Sequence, residues 1–346
     1  MKSKIVLFVS ILICVSSCST TKVQGQGKAP FITREFQSSS IKEVSAATAG
    51  GSIILTGDAG SKAVVEVNIS NNKWSNEKIK QVLDENYTID IKVENGKLYA
   101  IAKPKRSISN WNSQGLSISF KISVPKNVNS NLQTSGGSIH IGNLSGSQNF
   151  ATSGGSLTVE NVSGNTAGAT SGGSITVTDS KDKIDLKTSG GSITAKNCSG
   201  NIDLSTSGGS INLNNLTGNI DAKTSGGSIS AKNIKGTFKT GTSGGSVKLD
   251  DISGNLDART SGGTMDVKIK SVNDYVKISN SGNINISLPA GKGFDLNVKA
   301  NKIENGMKEM SSFRGVWKNE SVDGTINAGG PKVDVKSSQR VRISFE

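Results

Sequence analysis

The chain has 346 residues, 33% of them hydrophobic and only 4% aromatic, with a formal net charge of +13. Its three cysteines provide no disulfide framework, and the scarcity of aromatics suits thin layers with little interior volume. The charge is spread out: residues 134–265 carry 10 Lys/Arg against 9 Asp/Glu, and the basic excess lies in the flanks without clustering or interleaved aromatics, which argues against nucleic acid as a partner.

Lys2 and Lys4 precede an apolar run from Ile5 to Val15, then small residues lead to Cys18. That is the pattern of a secretory signal, too short and too early for a lasting membrane span. Val15-Ser16-Ser17-Cys18 resembles the bacterial lipobox. Residues 1–17 are therefore expected to be a lipoprotein signal peptide, and Cys18 the lipid-modified first residue of the mature protein. An ordinary signal peptide with an incidental cysteine is the alternative. Ser19 points, by analogy with diderm bacteria, to the outer membrane, with either face open. Residues 18–40, including STTKVQGQG, read as lipidated cysteine and flexible tether.

Residues 41–133 read as irregular strands forming the first distorted coils and a cap. IILTG (53–57), AVVEVNI (63–69), YTIDIKV (87–93), KLYAIA (97–102) and LSISFKISV (116–124) alternate as strands do. SNEKIKQVLDEN (75–86) offers a cap followed by Ile79, Val82 and Leu83 at helical spacing, so one short helix is expected, lying across the end of the stack. Thr48-Ala49-Gly50-Gly51-Ser52-Ile53 is a degenerate copy of the repeat that begins at Thr134.

From Thr134 the sequence repeats. Thr-Ser-Gly-Gly recurs at Thr134, Thr152, Thr170, Thr188, Thr206, Thr224, Thr242 and Thr260, always at a step of 18 residues. A linker keeps composition but not register, and a phosphate-binding loop needs one copy, a lysine and a helix, so both are excluded. A fixed period of this size marks a solenoid. With the threonine as position 0, positions 5 and 7 hold apolar residues such as Ile193 and Ala195. The pattern returns nine residues on, as at Ile202 and Leu204. Each unit is two turn-plus-strand halves. Glycine at positions 3 and 12 is expected to supply corners of positive φ, and Asn or Asp at position 9 another left-handed corner. With no six-residue period, two main sheets are expected. Residues 134–283 thus form the regular part of a single-chain, all-β parallel β-solenoid, and residues 284–346 the C-terminal coils and cap. In that cap VRISFE (341–346) is a strand and Trp317 helps seal the end.

LSISFKISVPKNVNSNLQTSGGSIHIGNLSG (116–146), the TSGGSI coils and GTINAGGPKVDVKSSQRVRISF (324–345) together resemble the bacterial envelope family labelled putative adhesins, whose domain is one of unknown function built from β-strand repeats. The resemblance implies a β-helical fold outside the cytoplasm. It brings no catalytic motif.

The outward column at position 15 (Asp185, Asp203, Asp221 and Asp257) is the best candidate for a binding surface, with Lys187, Lys223 and Arg259 two residues further on as neutralising partners. A charge-balanced, solvated ladder is the plain alternative. The single histidine, His140, sits outward at position 6, so no histidine-based metal cluster or triad is expected. The TSGGS turn lacks the aspartate of calcium-binding nonapeptide repeats, and the position-0 threonines sit at corners unsuited to ice binding. Cys198 falls in the apolar column at position 10 and reads as a buried hydrophobe. No metal, cofactor or catalytic residue is expected. The best-supported role is a lipid-anchored envelope solenoid that presents an extended repetitive surface to envelope or host glycans or other anionic polymers. A carbohydrate-active β-helix enzyme and a structural or stress-linked envelope protein are the alternatives.

Overall fold

The computed structural model describes residues 29–58, 60–71, 73–105, 115–305 and 312–346; the expected signal peptide and Cys18 lie outside them. The repeats stack in register as parallel strands. Ile193 pairs with Ile211, then Ile229, Val247 and Met265 come one coil at a time. The column continues through Ile284 to Val341, and in the other direction through Ile175, Leu157 and Ile139 to Ile53. These side chains are all buried, and they belong to one continuous core that runs through the stack. Like packs on like because every strand is matched to its own copy, and each fully buried Ile, Leu or Val stabilises by roughly 1.5–3 kcal/mol.

A coil has three pairing stretches rather than the two expected. Positions 5–8 form one, as in Ile211–Asn214. The chain turns at position 9, where Asn143, Asn161, Asn197, Asn215 and Asn233 have φ between 51° and 57°. A short stretch leads from there to position 12, where Gly146, Gly164, Gly200, Gly218, Gly236 and Gly254 have φ between 99° and 126°. A bend at position 12 leaves too little regular spacing for a six-residue signal. Asp182 takes this position in the Thr170 coil at φ 80°, and its carboxylate accepts from the Gly164 N–H at 2.9 Å.

Of the position-3 glycines Gly263 has the expected positive φ, at 65°, but the others serve a different purpose. Gly155, Gly173, Gly191, Gly209, Gly227 and Gly245 are not in the positive-φ region. A Cβ on any of them would instead overlap the backbone carbonyl of the equivalent glycine one coil earlier. Glycine is required there for close approach, not for conformational freedom.

Before Thr134, chain order and stacking order differ. The degenerate copy stacks directly beneath the first regular coil, with Thr48 opposite Thr134 and Ile53 opposite Ile139. The intervening chain folds back beyond it. On one side Ser117–Pro125, Lys62–Ser70 and Ile32–Gln37 continue outward, the last two antiparallel. On the other, Lys97–Pro104 and the antiparallel Tyr87–Glu94 lie beyond Glu43–Thr48. The tether expected over 18–40 therefore does not extend so far, because Ile32–Gln37 is a paired strand. The helix Asn76–Asn86 forms as expected. Ser75 caps it by accepting from the Lys78 N–H at 3.4 Å, and Ile79, Val82 and Leu83 enter the core.

At the other end the last two strands of the chain thread into the stack. Lys332–Ser337 lies between Tyr275–Asn280 and Phe294–Lys299, and Arg340–Phe345 lies between Ile284–Leu288 and Lys302–Asn305. The outermost strands are the antiparallel Ser321–Ile326 and Phe313–Trp317. Trp317 packs edge-on against Phe313 at 5.5 Å and covers this end. Antiparallel strands at the N-terminal end and on one side of the C-terminal end mismatch those edges to a further parallel coil, and the remaining C-terminal edge is the short parallel strand Lys302–Asn305, which limits end-to-end growth.

Candidate functional site

Most polar positions of the repeat are consumed in holding coils together. Thr152, Thr170, Thr188, Thr206, Thr224, Thr242 and Thr260 each donate from Oγ1 to the position-3 glycine carbonyl of the preceding coil, at 2.7–2.9 Å. Six of them also accept from their own position-3 glycine N–H at 3.2–3.3 Å. They are buried and cannot form an external threonine array. The hydroxyls of Ser138, Ser192, Ser210, Ser228 and Ser246 accept from the position-4 N–H of the next coil. Asn161, Asn197, Asn215 and Asn233 donate to the residue below at 2.8–3.1 Å, a side-chain ladder on the corner.

The positions left for other work point outward from the six-residue stretch, chiefly 15 and 17. At the N-terminal end this face is uncharged: Asn131, Asn149 and Ala167 lie in one column, Gln133, Ala151 and Ala169 in the other. Charge begins with the Thr170 coil. Asp185, Asp203 and Asp221 succeed one another in register, then Lys239, Asp257, Lys277 and Asp334. The structure thus assembles the four predicted aspartates on one face, with Lys239 interrupting them.

Three of those aspartates have the partners expected two residues on. The ammonium of Lys187 is 3.0 Å from the Asp185 carboxylate, and that of Lys223 is 2.7 Å from Asp221. Arg259 grips Asp257 with two hydrogen bonds, at 2.9 and 3.0 Å. Asp203 has Ser205 in place of a cation. Partial burial, then the charges of Asp185 and Asp221 on either side, push its carboxyl above the usual aspartate range, while Lys187 and Lys223 pull it back.

Two shallow grooves run along this face. One, of about 420 Å³, lies along Asp185, Asp203 and Asp221. The other, of about 540 Å³, opens over Gly241 and is bordered by Lys223, Lys239, Asp257, Arg259, Ser225 and Ser243. Sequence inspection had no reason to select Lys239, because it breaks the aspartate column; its signal is the exchange of Asp-x-Lys for Lys-x-Gly at one repeat. Among the described residues no group of three or more His, Cys, Asp or Glu could hold a metal ion. His140 stands alone at position 6 beside Thr158 and Ile54. Cys198 is buried, with Sγ 3.2 Å from the Lys196 carbonyl, and burial raises its thiol pKa, the reverse of a reactive cysteine.

This architecture is a parallel β-solenoid, with corners and core devoted to stacking and one long face left free. Residues 174–339 match the family model described as Toastrack DUF4097, a span that starts within the third regular coil and takes in the C-terminal strands. Residues 116–146, which contribute to the envelope-family resemblance, precede that span. Two solved structures are similar at low identity. One is described as a putative cell adhesion protein from Clostridium sporogenes (10% identity, 91% of this chain and 98% of that chain covered, TM-score 0.21). The other is described as a putative adhesin from Bacteroides fragilis (17% identity, 72% and 96% covered, TM-score 0.32). No curated protein matches the chain.

Proposed function

We propose that the protein is a lipid-anchored solenoid of the bacterial envelope that binds extended ligands along its outward charged face. One observation supports this most: the corner threonines, serines and asparagines are committed to coil–coil hydrogen bonds, whereas the outward face carries charged side chains in register whose ion pairs lie within single coils. Such a surface makes many weak contacts, which repetition turns into useful affinity. Envelope or host polysaccharides, including anionic ones, are the ligands that suit it. Cys18 holds the solenoid to the outer membrane, and no catalytic step is assigned to it.

A glycan-array profile of the full-length protein tests this reading. Binding confined to a few related polysaccharides, and weakened by substitutions on the outward face from Thr170 to Asn280, is the expected result. An array without any binding, together with release of cleavage products from a polysaccharide substrate, would move the assignment to an enzyme.

A further inference from the structure

The outward face contains two coils in which the charge pattern is reversed. Where position 15 is Asp185, Asp221 or Asp257, position 17 is a cation that pairs with it. Where position 15 is Lys239, position 17 is Gly241; in the next coil but one the register has shifted by two residues, so Lys277 stands opposite Asp257 and Ser279 opposite Arg259. Both lysines are exposed, and neither makes an ion pair among the described residues. They lie in the same column with only Asp257 between them, and Asp257 is tied to Arg259. Two strand spacings of about 4.8 Å separate Lys239 from Lys277 by about 9.6 Å.

The small residues beside these lysines make room. Gly241 opens the groove of about 540 Å³, and this continues past Asp257 and Arg259 into a second depression of about 230 Å³ lined by Lys277 and Ser279 and, on its far side, by Asp334, whose carboxylate is 3.8 Å from the Lys336 ammonium. Ser225 and Ser243 supply hydroxyls along its side. Tyr275, two residues before Lys277 on the same strand, lies beside it, with the Lys277 ammonium 5.2 Å from its ring centre. The trough runs along the solenoid axis, and one coil step is comparable to the advance of one sugar in an extended chain.

We propose that this trough, centred on Lys239 and Lys277, binds an acidic polysaccharide that carries one carboxylate or sulfate on every second sugar. Each acid group pairs with one lysine, the intervening sugar lies over Asp257–Arg259, and the serine hydroxyls bond to sugar hydroxyls. This inference rests on the surface-binding reading above and narrows it to one site and one ligand pattern. An acidic peptide fits less well, since an extended strand repeats its same-face side chains about every 6.6 Å, not about every 9.6 Å.

The test is titration of the full-length protein with three oligosaccharides: hyaluronan, with a carboxylate on alternate sugars; oligogalacturonate, with one on every sugar; and an uncharged cello-oligosaccharide. The expected order of affinity is hyaluronan, then oligogalacturonate, then the neutral chain, with hyaluronan binding weakening as salt rises. Lys239→Asn with Lys277→Asn should lower hyaluronan affinity about tenfold, in line with two exposed ion pairs. Asparagine already occupies this column at Asn149, so the fold accepts it. Lys248→Asn, an exposed position in the other pairing stretch of its coil, should leave binding unchanged, and Gly241→Gln should block it by filling the groove. If oligogalacturonate binds as well as hyaluronan per acid group, the alternate-sugar pattern is wrong. If the double variant binds like wild type, or the neutral chain binds equally, the site is wrong while surface binding survives. If no oligosaccharide binds and the array is also blank, both fail.

Discussion

Thr206 Oγ1 donates to the Gly191 carbonyl at 2.8 Å and accepts from the Gly209 N–H at 3.2 Å, so a single hydroxyl closes its own turn and ties it to the coil before. Thr206→Val keeps the shape and removes both bonds, leaving two backbone groups without this partner. The expected cost is about 1–2 kcal/mol in denaturant unfolding, with Thr206→Ser nearer to wild type. Equal stability for the valine variant would mean that the threonine column does not bind the coils together.

The two glycines of one turn should respond differently to the same substitution. A Cβ on Gly208 has its nearest neighbours at 3.5 Å, an ordinary contact, so Gly208→Ala should stay within about 1 kcal/mol of wild type. A Cβ on Gly209 overlaps the Gly191 backbone, which cannot yield without parting the coils. Gly209→Ala should lose on the order of 3 kcal/mol or fail to accumulate as folded protein. Thermal melts of the pair decide it, and the opposite ranking would contradict the packing.

Asp203 should give the stack an acid-side advantage. Its carboxyl is raised by burial and by Asp185 and Asp221, so the folded chain holds that proton more tightly than the unfolded chain does. Its contribution is most favourable below the unfolded aspartate value of about 3.9 and is lost as pH rises through the higher folded value. Asp203→Asn should flatten this component of the stability–pH curve and stabilise the protein at neutral pH. A variant whose curve parallels wild type throughout would show that the three stacked carboxylates do not interact.

Cys18→Ser should release the protein from the membrane fraction. Mass analysis of the wild-type mature amino terminus should find a lipid on Cys18, with partition into detergent. A wild-type protein that starts elsewhere, or stays in the aqueous phase, would rule out the anchor.

The regular coils were legible because their period is strict: Ile193, Ile211 and Ile229 declare one buried column, and Asp185, Asp203 and Asp221 declare one outward column. The helix was legible from Ser75 and the spacing of Ile79, Val82 and Leu83. The reason for each glycine was not, since Gly209 and Gly218 look alike in sequence although the first is required for close approach alone and the second also for its φ of 126°. Nor was the order of stacking at the ends, where Ile53 meets Ile139 across a long excursion of chain and Arg340–Phe345 returns between earlier strands. Pairings between distant, non-repeating segments leave no periodic trace. Lys239 and Lys277 were hidden for the same reason, as departures from a pattern acquire meaning only when their neighbours in space are known.

The unit of construction is most directly tested by deletion. Removing residues 188–205 takes out one coil and sets Thr206 after Lys187. The column residues then meet their equivalents in the Thr170 coil, so Ile211 faces Ile175 and Leu213 faces Val177. Nearest-neighbour energetics predicts a folded protein of slightly lower stability. Removing only 188–196 joins Lys187 to Asn197, puts downstream strands on the wrong side of the coil and brings asparagine corners against threonine turns. Cooperative melting of the 18-residue deletion, with aggregation or a much lower melting temperature for the nine-residue one, is the result expected; equal melting temperatures, or global unfolding of the whole-coil deletion, would contradict the solenoid built from 18-residue coils.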